Sequence, residues 1–169
     1  MDKPKAIFSA TIEVNKIYKT KVVPEIMIPL VSANKEVDLV KRRVEKVLKE
    51  IERKESMPVE YMLGVMVETP RAALRAGDIA RSSEFLSFGT NDLTQMTYGF
   101  SRDDMGKFLT PYLGAGILTD SPLAKFDIDG VGQLVQMGTE RGRHSNARLK
   151  VGVCGEHGGD PTGIGFFHQ

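Results

Sequence analysis

Four short apolar segments, separated by stretches with helical spacing, dominate the pattern of hydrophobic and polar positions along the chain. The segments are mostly apolar without strict alternation, which is typical of strands in a parallel sheet that is covered on both faces. The predicted strands are residues 22–31, 62–68, 85–88 and 149–154.

Apolar residues at steps of three and four predict three helices between these strands. The first follows Ser32, an expected N-cap, and its charged face over residues 41–55 is interpreted as solvated surface. The second covers residues 70–80, with Pro70 in its first turn, and the third runs through residues 131–142. Residues 98–129 exceed a usual strand-to-helix connection and predict a functional loop with short helical pieces.

The alternation of strands and helices predicts an α/β fold, either an open doubly wound sheet or a (β/α)8 barrel. No glycine-rich phosphate-binding motif follows the first strand, which weakens the case for a nucleotide-binding sheet. Polar residues cluster just after the carboxyl ends of the strands, where barrel enzymes place their chemistry. A complete barrel takes about 250 residues. The 169 residues therefore predict a partial (β/α)8 TIM barrel of about four βα units.

Composition excludes several classes of protein without identifying one. There are 23 Lys and Arg against 22 Asp and Glu, and the formal net charge of +1 argues against a nucleic-acid or membrane-surface binder. The single cysteine forms no internal disulfide, and no apolar run approaches the roughly 20 residues of a spanning helix. The first residues lead into no signal-peptide core. We therefore expect a cytoplasmic protein without nucleic-acid or membrane partners.

Two carboxylates follow neighbouring predicted strands, and each also has a purely structural interpretation. Glu68 ends an apolar strand, where a carboxylate is costly unless it binds a cation or pairs with a base such as Arg71. Asp92 follows Gly89, which lets a ligand approach the backbone, and Asn91, which offers a donor and an acceptor. Alternatively, Asn91 or Asp92 is a helix N-cap. Together, Glu68 and Asp92 could hold a Mg²⁺ ion that takes its other ligands from water and substrate.

The only cysteine, Cys154, lies at the end of the fourth predicted strand. A lone cysteine is usually a small buried hydrophobe. The glycines on both sides of it and the charged residues 156–160 expose backbone and bring charge close to the thiol. A thiol beside a metal-bound substrate can act as an acid or base. His157 is expected to tune that thiol or to contact substrate.

Four longer motifs extend the pattern around these residues. They are PEIMIPLV (24–31), GVMVETPRAAL (64–74), FLSFGTNDLTQMTYGFSRDD (85–104) and VGVCGEHGGDP (151–161). Together they resemble the phosphoenolpyruvate/pyruvate-binding barrel of the pyruvate, phosphate dikinase family, from about Ala6 to the end of the chain. By this resemblance, residues 1–169 are part of that barrel domain, without its first and last strands, and a fragment of a larger multidomain enzyme.

The resemblance implies a phosphotransferase function and a set of site residues. The family interconverts ATP, phosphate and pyruvate with AMP, diphosphate and phosphoenolpyruvate. The substrate-binding residues implied are Glu68, Gly89, Thr90, Asn91 and Asp92. Of these, Glu68 and Asp92 would ligate the Mg²⁺ ion that binds pyruvate or its enolate. Cys154 would be the catalytic acid that protonates the enolate carbon, or the base in the reverse direction.

The expected partners follow from what the resemblance leaves out. The family's ATP-grasp and phosphohistidine domains have no counterpart here, so the chain alone is expected to be inactive in the full reaction. A partial barrel exposes two sheet edges, which favours a homodimer or another homo-oligomer. Three alternatives remain: a fragment of phosphoenolpyruvate synthase or of Enzyme I of the phosphotransferase system, a non-catalytic dimerisation module, and an unrelated metal-dependent carbon–carbon lyase.

Overall fold

A four-stranded parallel sheet forms the centre of the computed structural model, which describes residues 2–168. The strands are β1 (Glu25–Ile28), β2 (Met62–Val67), β3 (Phe85–Gly89) and β4 (Lys150–Cys154), paired in chain order. The register places Val67 opposite Phe88 and Gly89 opposite Cys154, so the carboxyl ends of three strands share one edge. The α/β class and all four predicted strands are confirmed, although β1 is shorter than predicted.

Helices occupy most of the chain between and around the strands. They are α1 (Asp2–Tyr18), α2 (Asn34–Glu55), α3 (Pro70–Leu74), α4 (Ala76–Ala80), α5 (Thr90–Tyr98), α6 (Met105–Gly114), α7 (Gln133–Ser145) and α8 (Pro161–Phe167). A π-helical turn, Ile128–Gly132, precedes α7, and a 3₁₀ turn, Glu156–Gly159, precedes α8. The long connection predicted over residues 98–129 is confirmed and contains α6. None of the described helices is long and apolar enough to cross a membrane.

Three details of the predicted helices are wrong. Ala33, and not Ser32, precedes α2; the Glu36 carboxylate accepts the backbone amides of Ser32 (2.7 Å) and Ala33 (2.8 Å), which is the bond from the third helical residue back to the N-cap amide that a capping box contains. The second predicted helix is broken at Arg75 into α3 and α4. The third extends to Ser145, three residues beyond its predicted end.

The described residues form two hydrophobic clusters. The larger one packs the sheet against α3, α4 and α7, with side chains such as Leu86, Phe88 and Ile79 fully buried. The smaller one joins α1 to α2 through Phe8, which meets the ring of Tyr61 edge-on at 5.4 Å between centroids. Helix α1 therefore covers α2, while the main core fixes the strand ends that carry the candidate site.

Candidate functional site

Glu68 is a buried carboxylate directly after β2. It is 4% exposed, and its Oε1 accepts the backbone amide of Leu30 at 2.6 Å. The predicted structural alternative, a pair with Arg71, is wrong, because the Arg71 guanidinium donates to the carbonyl oxygen of Ser32. No ion pair among residues 2–168 includes Glu68. A carboxylate in this position lacks the compensating cation that burial of a charge requires.

Two physical causes raise the pKa of Glu68 above its ordinary value. Burial is the larger one, and the neighbouring carboxylate of Asp92 adds to it, while the amide of Leu30 opposes both. Two carboxylates side by side are stabilised by a cation between them. The structure therefore places together the two side chains that the sequence suggested as ligands.

Asp92 lies in the first turn of α5, directly after β3. The helix begins at Thr90 with Gly89 before it, so the prediction of Asn91 or Asp92 as an N-cap is wrong. The strand runs into the helix without a loop, and Gly89 serves both as the last strand residue and as the helix cap. Oδ1 of Asp92 accepts the side-chain amide of Gln95 at 3.1 Å.

Gly89 leaves the space in which the Glu68 side chain lies. A Cβ atom at position 89 would be 3.0 Å from Cβ and Oε2 of Glu68 and 3.0 Å from Sδ of Met66. Such distances are shorter than ordinary van der Waals contact, so a side chain here would displace the carboxylate. The small residue is thus a steric requirement for Glu68 to lie against the end of β3.

The end of β4 packs against Thr90 and Asn91. A Cβ atom on Gly155, whose φ is +112°, would be 2.8 Å from Oγ1 of Thr90 and 3.3 Å from Oδ1 of Asn91. Oδ1 of Asn91 also accepts the backbone amide of Glu156 at 3.4 Å. The Nδ2 group of Asn91 donates to no described residue and is the donor that this side chain can offer a ligand.

Cys154 is half-buried beside the same residues. Its Sγ lies 3.6 Å from the carbonyl oxygen of Phe88, to which the thiol donates. Its own carbonyl oxygen lies 3.4 Å from the hydroxyl of Thr90. The structure therefore brings Cys154 next to Gly89, Thr90 and Asn91, as the sequence placed it at the same sheet edge.

His157 occupies a different position from the one predicted. The ring is fully buried, with Nδ1 2.9 Å from Oγ1 of Thr90 and Nε2 3.0 Å from the carbonyl oxygen of Pro122. A carbonyl oxygen only accepts, so Nε2 carries a proton and, in the neutral ring, Nδ1 accepts from the Thr90 hydroxyl. His157 does not hydrogen-bond the thiol, because the 3₁₀ turn directs its ring inward against Phe126. The ring therefore contacts the site residue Thr90 from inside the protein core.

The ligand set that these residues offer is small. No group of three or more His, Cys, Asp or Glu side chains in residues 2–168 is arranged to hold a metal ion. Glu68 and Asp92 together could supply two carboxylates, leaving most coordination positions to water and substrate. That arrangement fits Mg²⁺, which commonly binds through one or two carboxylates and retains waters, better than it fits a zinc site built from protein ligands.

The sequence did not identify Gln95, Arg102 or Glu156 as parts of the site, although Gln95 and Glu156 contact predicted site residues and Arg102 contacts these two. Gln95 bonds to Asp92, Glu156 bonds to Asn91, and Arg102 bonds to both Gln95 and Glu156. All three lie inside the motifs quoted above, but neither residue type nor spacing indicates their hydrogen-bond partners.

Comparison with known proteins assigns the family. The sequence matches the family described as PEP-utilising enzyme, PEP-binding domain, over residues 2–169. The chain therefore belongs to this family of phosphoenolpyruvate-binding domains.

Three individual relatives are pyruvate, phosphate dikinases. The chain is 50% identical over 165 residues to pyruvate, phosphate dikinase of Clostridium symbiosum, covering 98% of this chain and 19% of the relative. It is 50% identical to pyruvate, phosphate dikinase of Rhizobium meliloti (strain 1021), covering 98% and 18%. It is 52% identical to the chloroplastic pyruvate, phosphate dikinase 1 of Arabidopsis thaliana, covering 98% and 17%. The chain thus spans a fifth or less of the length of these relatives.

Proposed function

We propose that this chain is the phosphoenolpyruvate/pyruvate-binding part of a pyruvate, phosphate dikinase. The proposed reaction interconverts ATP, phosphate and pyruvate with AMP, diphosphate and phosphoenolpyruvate. The observation that carries the proposal is the buried carboxylate of Glu68, which lies beside Asp92 and forms no described ion pair, in a chain about 50% identical to dikinases.

Glu68 and Asp92 are the residues that would hold Mg²⁺. Each has one oxygen bound by a protein donor, the Leu30 amide or the Gln95 amide, and its other oxygen accepts no hydrogen bond among the described residues. When bound there, Mg²⁺ would stabilise negative charge on the oxygen of the pyruvate enolate. The raised pKa of Glu68, caused chiefly by burial, means that its negative charge is poorly stabilised in the metal-free chain. A bound cation would stabilise that charge.

The start of α5 supplies the contacts for an anionic substrate. Gly89, Thr90 and Asn91 form the strand end and the first helical turn, where backbone N–H groups and the helix dipole favour negative charge. The Nδ2 group of Asn91 would donate to a substrate oxygen, while Oδ1 accepts the Glu156 amide. Pyruvate and phosphoenolpyruvate both present a carboxylate that suits these donors.

Cys154 is the proposed acid and base. In the direction of pyruvate formation, the S–H bond breaks, the proton forms a C–H bond at the enolate carbon, and sulfur keeps the electron pair as thiolate. In the reverse direction, the thiolate removes a methyl proton from pyruvate. The Phe88 carbonyl at 3.6 Å from Sγ orients the thiol until substrate is present.

The architecture of the complete domain is also part of the proposal. The sheet β1–β4 would form one arc of a (β/α)8 barrel, since β1 and β4 each pair on one side only among the described strands. A groove of about 740 Å³ lies between β4, α7 and α8, lined by Val153, Val135 and Phe166 among others. Further barrel strands, or a second copy in a homo-oligomer, would cover these edges.

The other partners and the location remain predictions of the same proposal. The phosphoryl group would come from phosphohistidine and ATP-grasp domains of the parent enzyme. A cytoplasmic site of action is proposed because the single cysteine gives no sign of an oxidising compartment.

Exchange of the methyl protons of pyruvate with deuterium, followed by NMR, tests the proposed chemistry. With Mg²⁺, the chain should catalyse exchange; Cys154→Ala should abolish exchange and retain binding of oxalate, a planar mimic of the enolate. Asp92→Ala should lose both. Exchange that persists in Cys154→Ala would contradict the role of the thiol, and oxalate binding that persists without Mg²⁺ would contradict the role of the carboxylates.

A further inference from the structure

A chain of four hydrogen bonds, closed by the peptide bond between Asn91 and Asp92, joins these two proposed ligand-binding residues of α5 through three residues that the proposed chemistry does not use. Asp92 accepts from Gln95 at 3.1 Å, and Gln95 accepts the backbone amide of Arg102 at 2.6 Å. The Arg102 guanidinium donates to Glu156 at 3.1 Å, and the Glu156 amide donates to Asn91 at 3.4 Å. We call these five residues, Asn91, Asp92, Gln95, Arg102 and Glu156, the clasp.

Gln95 is the central member of the clasp because its amide carries both a donor and an acceptor. The Nε2 group fixes Oδ1 of Asp92, which leaves Oδ2 available, and Oε1 holds the chain at Arg102 just beyond α5. Gln95 itself is half-buried, whereas Asp92 and Arg102 are exposed, so both bonds lie at the surface of the chain. The loss of either bond would free a carboxylate or a loop at the site.

The ion pair of the clasp is less important than the backbone bonds beside it. Arg102 and Glu156 have side chains that are 50% and 59% exposed, and such pairs contribute little by themselves. The ion pair nevertheless joins two segments that are 54 residues apart in sequence. The backbone amide of Arg102 binds the side chain of Gln95, and the backbone amide of Glu156 binds the side chain of Asn91.

We propose that Gln95 is a positioning residue for the Mg²⁺ and substrate site, and that it acts by holding Asp92 and the segment at Arg102 in one arrangement. The inference rests on the proposed function, since it assigns Asp92 to the metal. Partners that orient metal ligands typically change metal affinity by about 10–100-fold when they are removed. Gln95 does not itself contact the reacting atoms.

Substitution of Gln95 by Met, which removes both bonds at similar size, tests the inference on the whole chain. Calorimetry should show that Gln95→Met weakens Mg²⁺-dependent oxalate binding by about 10-fold or more. Hydrogen exchange of the metal-free chain should show loss of protection at the Arg102 amide. Gln95→Glu keeps the acceptor and should retain that protection. The matched control is Gln136→Met, which removes an amide-to-carboxylate bond to Glu140 (2.9 Å) on α7 and should change neither readout.

The outcomes separate the inference from the proposed function. Oxalate binding by Gln95→Met within twofold of the unsubstituted chain, or an Arg102 amide that keeps its protection, would overturn the role of Gln95. Failure of the unsubstituted chain to bind oxalate with Mg²⁺ would overturn the proposed function for this chain. In that case, hydrogen exchange at the Arg102 backbone amide would still decide whether Gln95 holds the segment at Arg102.

Discussion

The backbone amide of Leu30 donates to Oε1 of Glu68 over 2.6 Å, although the two residues are 38 positions apart. Leu30 follows β1 and adopts a left-handed conformation with φ of 53°, which is costly for a residue with a Cβ atom. Strained backbone is often retained at functional sites. Here it directs a donor at the one buried carboxylate of the proposed site.

Substitution of Glu68 by Gln should change the pH dependence of stability. Because the pKa of Glu68 is raised by burial and by Asp92, the folded metal-free chain binds a proton more tightly than the unfolded chain. Its stability should therefore be full below the ordinary pKa of a glutamate and fall as the pH rises through the raised value. Glu68→Gln keeps an acceptor for Leu30 and should remove this fall. Denaturant unfolding at a series of pH values measures it.

Glu68→Gln should change stability and ligand binding in opposite directions. Glu68→Gln should be more stable than the unsubstituted chain at neutral pH without metal, and should lose Mg²⁺-dependent oxalate binding. A variant that is destabilised at neutral pH would contradict the account of an uncompensated buried charge.

Gly89→Ala should disturb the Glu68 carboxylate directly. The added Cβ would lie 3.0 Å from Glu68 Oε2 and from Met66 Sδ, and overpacking of this kind costs about 1–3 kcal/mol. Gly152→Ala on β4 is the matched control, since no heavy atom lies within 4 Å of its added Cβ. The Gly152→Ala substitution should change the free energy of unfolding by less than about 0.5 kcal/mol. Equal effects of the two substitutions would argue against a steric role for Gly89.

His157→Leu should destabilise the chain by about 1–3 kcal/mol, because it leaves the buried Pro122 carbonyl without its donor. It also removes the partner of the Thr90 hydroxyl. His144→Leu, at an exposed position of α7, should change the free energy of unfolding by less than about 0.5 kcal/mol. Thermal unfolding of both variants makes the comparison, and a His157→Leu variant as stable as His144→Leu would show that the buried ring is dispensable.

The sequence predicted the strands and the placement of Glu68, Asp92 and Cys154 at one sheet edge, because apolar runs and chain order determine where parallel strands end. It did not predict α1, whose buried Phe8 and Ile12 are stabilised by packing against α2 and not by local pattern alone.

The sequence also did not predict the hydrogen bonds that orient the site residues. The Leu30–Glu68 and Glu156–Asn91 bonds join residues 38 and 65 positions apart, so they exist only once the strands have paired. The same holds for His157, whose ring turns inward to Thr90 at a separation of 67 residues. Its position just after Cys154 had suggested that it would tune the thiol or contact substrate.

The central claim is that Glu68 and Asp92 form a Mg²⁺ site for an enolate-like ligand. Titration calorimetry of oxalate into this chain, with and without Mg²⁺ and with Asp92→Ala as the control, tests it most directly. The account predicts binding that requires Mg²⁺ and disappears in Asp92→Ala. Binding that is unchanged in Asp92→Ala, or no binding to a chain shown to be folded, would contradict it.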